Sequence, residues 1–125
     1  MDKDTTIDEL KNTVQDFCEK RNWDQYHNPK DLSIGILTEA SELIELFRFK
    51  DLEEIDQLFT DPKKQEEIKR ELADVFFFIL RFAQMKNIDL SNALESKMEI
   101  NKSKYPTNLF KGSNKKYNEI DENKP

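Results

Sequence analysis

Apolar residues recur at three- and four-residue intervals through most of this chain, and acidic pairs stand inside two of those runs: Glu39-x-x-Glu42 and Glu71-x-x-Asp74. A period near 3.6 marks an amphipathic helix rather than a strand. Spacing of i, i+3 sets both acids of a pair on one helix face. Only two glycines and four prolines stand among the 125 residues, and no alternating stretch suits a half-buried strand. The chain is therefore expected to be all-α, a single domain of the four-helix-bundle type.

The helices can be placed. Thr6 and Glu9 form a capping box ahead of Ile7, Leu10, Val14 and Phe17, predicting a first helix over 6–21. An aromatic and polar loop, residues 22–31, leads to a second helix over 32–50, capped by Asp31. A charged connector, 51–61, has room for a helical turn around Leu52–Phe59. Pro62 opens a third helix reaching Lys86, and Asp89 caps a fourth that runs to Lys104 before Pro106. The division expected is a helical domain over 1–106 and a polar, lysine-rich tail over 107–125.

Charge and composition narrow the partners. A net charge of −6 with no basic stripe argues against a nucleic acid polymer, while a free nucleotide arriving with a divalent metal stays open. The longest apolar run, Val75 to Leu80, is too short to span a bilayer. Cys18 is the only cysteine, and the N-terminus is acidic and unlike a signal peptide. A cytoplasmic location without membrane association is the expectation.

Acidic i, i+3 pairs are common in a chain that is 37% charged; Glu42/Glu45, Glu53/Asp56 and Glu119/Glu122 share the spacing. Helical phase separates them. At about 100° per residue, Glu39 projects between Leu46 and Leu32, and Glu71 between Phe78 and Phe82. Glu42 and Asp74 sit about 60° away, at the edge of each apolar arc. Two such helices packed together gather four carboxylates, an oxygen-rich set suited to Mg²⁺ or Mn²⁺. The alternatives are buried ion pairs with Lys97 or Arg81, or a different helix phase that leaves the acids in water.

Other residues also have two readings. Gly35, one turn before Glu39, either admits a ligand or lets a neighbouring helix approach. Lys97, Asn101 and Lys104 share a face of the fourth helix, either to meet phosphate oxygens or to cover apolar surface with lysine stems. Trp23 and Tyr26 can stack on a nucleobase while Gln25 and His27 bond its edge; the competing readings are a structural His27 and a Trp23 that belongs to an interface. A single His does not supply the Glu-x-x-His pairs of a di-iron site. No Ser or Cys stands beside a base, so a covalent intermediate is not expected.

Taken together, these strings resemble the MazG-like all-α nucleoside triphosphate pyrophosphohydrolases, nearest the dCTP pyrophosphatase branch. The matching segments are RNWDQYHNP (21–29), TEASELIELF (38–47), ELADV (71–75) and SKMEINKSKYP (96–106), and the likeness extends over about residues 7–118. The resemblance implies Mg²⁺-dependent hydrolysis of a (deoxy)nucleoside triphosphate to the monophosphate and pyrophosphate, with Mn²⁺ as a substitute metal. It implies that Glu39, Glu42, Glu71 and Asp74 hold the metal and form the catalytic centre. Trp23, Asp24, Gln25 and His27 would line the nucleotide pocket, with Phe49 and Phe78 at its base end. Lys97, Asn101, Lys104 and Tyr105 would lie near the phosphates or sugar. Val14, Phe49 and Phe78 depart from the branch pattern of histidine, tryptophan and tyrosine, which bears on base selectivity more than on the chemistry.

The resemblance also implies assembly as dimers, often as dimers of dimers. The residues support this independently: Phe76, Phe77 and Phe78 span about 200° of the third helix, more than one small subunit readily covers. The competing class is a non-catalytic helical oligomer that binds a nucleotide or a protein partner.

Overall fold

A computed structural model of the chain describes residues 1–120, and among these there is no strand. Residues 121–125, the end of the expected tail and with them Glu122, lie outside the described residues. The chain forms two compact units, Met1–Ile88 and a second beginning at Asp89. No helix among the described residues is long and apolar enough to cross a membrane.

The first unit contains α1 (Ile7–Lys20), α2 (Pro29–Glu45), α3 (Leu52–Leu58) and α4 (Pro62–Met85), with a 3-10 turn at Asp24–Tyr26. The capping box at α1 forms: Glu9 N–H donates to Thr6 Oγ1 at 3.1 Å and Thr6 N–H to Glu9 Oε2 at 3.4 Å. α2 starts three residues before its expected first position. Asn28 is the cap, its Oδ1 accepting from Asp31 N–H at 2.9 Å, and Pro29 fills the first helical position. Proline suits that place because its missing N–H would have no helical partner there. Asp31, the expected cap, instead sits in the first turn and accepts from Asn28 Nδ2.

The other end of α2 does fall short of expectation, at Glu45 rather than 50. Phe49 adopts φ 65°, in the left-handed region, which a right-handed helix cannot incorporate. α4, in contrast, runs unbroken from Pro62, as the sequence pattern predicts.

α2 and α1 both pack on α4, so α4 is the spine of this unit. Val14, Cys18, Leu32, Ile68, Leu80 and Ala83 form its buried apolar centre. Phe77 meets Phe17 and Phe78 edge-on, with ring centroids 5.9 and 5.3 Å apart. Gly35 of α2 faces Phe78 of α4. A methyl group there would lie 2.6 Å from the Phe78 ring, so helix packing accounts for this glycine.

The second unit contains α5 (Leu90–Lys104), the short α6 (Thr107–Phe110) and a 3-10 turn at Tyr117–Glu119. Asp89 caps α5 through Asn92 N–H at 2.8 Å. Tyr105 packs edge-on against Phe110 and Tyr117, at 4.8 and 6.2 Å between centroids. The polar segment after Pro106 thus carries local structure of its own.

Candidate active site

The pairing of α2 with α4 carries the two acidic pairs to one place. Carboxylate oxygens of Glu39, Glu42 and Glu71 all lie within 4.8 Å of one another. Glu39 and Glu71 are half-buried, and one oxygen of each, Oε2, is out of water with no hydrogen-bond partner. Glu42 is exposed at the rim. Asp74 is exposed as well and stands outside the close trio, yet its charge still acts on Glu39 and Glu71.

Three anions at this separation oppose one another. Loss of water holds the Glu39 carboxyl above its ordinary pKa, followed by the contact and charge of Glu42 and then by Asp74 and Glu71. Glu71 is raised in the same way, by lost water first and then by Glu42 and Asp74. Among the described residues of the first unit, no Lys or Arg forms an ion pair with these acids. Arg81 is committed elsewhere, so the ion-pair alternative through it fails. Unpaired, partly desolvated carboxylates with free oxygen lone pairs match the donor set of a hard divalent cation.

The aromatic loop stands beside α1 and α4. Trp23 meets Phe17 edge-on at 5.4 Å and His27 at 6.2 Å between centroids. Asp24 accepts from Arg81 Nη2, and His27 Nδ1 accepts from Arg81 Nε at 2.9 Å. Gln25 turns its amide to Asn22 O, 3.0 Å away. Phe78 faces Gly35 on the floor between α2 and α4. Phe49 is 89% exposed four residues beyond the end of α2, with the Arg48 guanidinium 4.5 Å from its ring centre.

The remaining expected site residues belong to the second unit. Lys97 is exposed, Asn101 is half-buried, and the Lys104 ammonium stands 4.8 Å from the centre of the Tyr117 ring. Tyr105 closes α5 and joins the small aromatic cluster described above.

Residues 34–120, most of the chain, match the MazG-like family. Over 115 residues the chain is 32% identical to the dCTP pyrophosphatase 1 of Homo sapiens and of Rattus norvegicus, a span of 92% of this chain and 68% of each relative. A crystal structure of a pyrophosphatase from Archaeoglobus fulgidus is 32% identical, with a TM-score of 0.74 over 79% of this chain and 91% of that one. The chain belongs to the MazG-like family. Its enzyme class is nucleoside triphosphate pyrophosphohydrolase, as the sequence resemblance implies.

The residue pattern of this MazG-like chain presents Arg81 only as a counter-ion for the inward acids, whereas the structure makes it the anchor of the 24–27 turn. The available signal is an arginine within the otherwise apolar run Val75–Ala83, seven residues beyond Asp74 and so on the same face.

Proposed function

We propose that this enzyme hydrolyses dCTP, or a related or modified pyrimidine nucleoside triphosphate, to the monophosphate and pyrophosphate in the presence of Mg²⁺. The observation that carries the reading is the pair of buried, unpartnered oxygens of Glu39 and Glu71 inside a three-carboxylate cluster. Buried charge of this kind is costly unless compensated, and nothing in the first unit compensates it.

Glu39, Glu42, Glu71 and Asp74 would hold the ion, Mn²⁺ serving as a substitute. When bound, a divalent metal supplies neutralisation of phosphate charge and lowers the pKa of a water. Glu39 or Glu42 accepts the proton as water attacks the α-phosphorus. Trp23 offers an aromatic face to the base, and Gln25, His27 and Phe78 bound its edge. Family resemblance extends the substrate contacts to Phe49, Lys97, Asn101, Lys104 and Tyr105. Alanine substitutions at these five positions, read as changes in KM, test each in turn.

The working unit is a homodimer or homotetramer. Leu72 and Phe76 are 57% and 39% exposed, and they border an apolar groove of ≈ 450 Å³ shared with Lys69, Ala73, Val75 and Ile79. A second copy of the chain is the occupant proposed. Light scattering at micromolar concentration should report a dimer or tetramer, and Phe76→Glu should shift it toward monomer. A monomeric wild type would defeat this part of the reading.

The substrate test is a panel of dCTP, dUTP, dTTP and modified dCTPs with and without Mg²⁺, assayed for pyrophosphate. Release of orthophosphate instead, or turnover that persists in chelator, would overturn the mechanism. A preference for purine nucleotides would overturn the substrate.

A further inference from the structure

Among the described residues Arg81 is the charged side chain that lies in the core, at 1% exposure. It follows Asp74 by seven residues on α4, so the two share a face about 10 Å apart along the axis. Phe78 lies on the same face between them, against Gly35. Each nitrogen of the guanidinium is used. Nε donates to His27 Nδ1 at 2.9 Å, Nη1 to Gln84 Oε1 at 2.6 Å, and Nη2 to the Asp24 carboxylate.

Asp24 and His27 bracket the 3-10 turn that follows Trp23. One side chain of α4 therefore grips both ends of the turn. A rigid planar fork can do this, whereas a lysine ammonium has no equivalent set of directions.

The bond to His27 has a second consequence. A ring nitrogen that accepts a hydrogen bond carries no proton, so the neutral imidazole is protonated at Nε2. Burial, and after it the Arg81 charge, holds His27 below its ordinary pKa of 6.5, with Asp24 acting in the opposite sense. The ring stays neutral at pH 7, with Nε2–H as its donor.

We infer that Arg81 is a positioning residue for the base end of the active site, fixing the 23–27 turn and presenting His27 as an Nε2–H donor to an acceptor on the base, such as a pyrimidine carbonyl oxygen. The inference rests on the reading that this turn lines the nucleotide pocket. It places recognition of the base under the control of the same helix that carries Glu71 and Asp74.

The chain contains a single histidine, so nitrogen-15 NMR reads its tautomer without ambiguity. Full-length wild type should show Nε2 protonated and Nδ1 bare at pH 7. Arg81→Lys keeps the charge and loses the fork. It should give a mixed tautomer pattern and raise KM for the nucleoside triphosphate about tenfold, a loss the size of one charge-assisted hydrogen bond. Its kcat should stay within about threefold of wild type, since the acids are untouched. If Arg81→Lys does not fold, Asp24→Asn, on a half-exposed side chain, should move both readouts the same way by less. An unchanged tautomer in the folded variant would overturn the inference, as would a changed tautomer with KM unmoved. The NMR arm needs no turnover. Failure of the proposed activity would therefore show separately from failure of the tautomer assignment.

Discussion

α4 carries two charged centres on one face, and they are built on opposite terms. At Glu71 and Asp74 it contributes acids to a cluster where like charges crowd and two buried oxygens have no partner. About 10 Å further along, Arg81 sits deeper still, yet every donor nitrogen is answered by Asp24, His27 or Gln84. The second centre is complete within the first unit and holds structure. The first finds no cationic partner in that unit, the charge that the proposed metal would supply. Burial alone does not distinguish a structural charge from a functional one; compensation does.

The strongest way to break this contrast is to remove one acid. Glu71→Ala or Glu39→Ala should lower kcat by at least about 10²–10³-fold, the scale of losing one electrostatic stabiliser, while circular dichroism shows the helices intact. Retained turnover in either variant would strip the acidic cluster of its role. Next in size is the effect of supplying the missing charge. Mg²⁺ at a hundred times its dissociation constant should stabilise the wild type by about 2.7 kcal/mol in thermal unfolding, and a Glu39→Gln/Glu71→Gln double variant by far less. Equal stabilisation of the two proteins would place the metal elsewhere.

The compensated centre should respond differently. Asp24→Ala leaves a buried guanidinium with one donor unpaired and should cost about 1–3 kcal/mol, with or without Mg²⁺. A cost that disappeared on adding metal would tie the two centres together more closely than proposed. Between them, Gly35→Ala sets a methyl group against Phe78. Overpacking should outweigh the gain in helix propensity, for a net loss of about 1–2 kcal/mol by chemical denaturation. The smallest effect concerns acid pH. His27 is held below 6.5 in the fold, so the unfolded chain takes up its proton first. Stability from this group is whole above pH 6.5 and declines as the pH falls below it. His27→Gln should flatten that part of the stability–pH curve.

Much of this was legible in residue order, and the exceptions are instructive. The cap at Thr6 and the first turn at Pro62 are local devices, decided within a few residues, and both stand where the sequence puts them. The end of α2 was not legible. Leu46 and Phe47 continue the apolar period, yet the backbone at Phe49 turns left-handed, a choice that period cannot encode. Gly35 stands out by its place inside a helix, but only the Phe78 ring beside it separates a packing role from a ligand-binding one.

The sequence by itself determined the class of fold, the helical face on which Glu39 and Glu71 lie, and the family, because periodicity and motif order are properties of the chain read in a line. Tertiary structure decided which acids meet and which charges are already satisfied. Glu42 joins the close trio while Asp74 stands back from it, and Arg81 turns away from both toward Asp24 and His27. Those outcomes depend on how α2 and the 24–27 turn seat against α4. Hydrogen bonds and charge repulsion act over a few ångströms, a distance fixed by packing rather than by spacing along the chain.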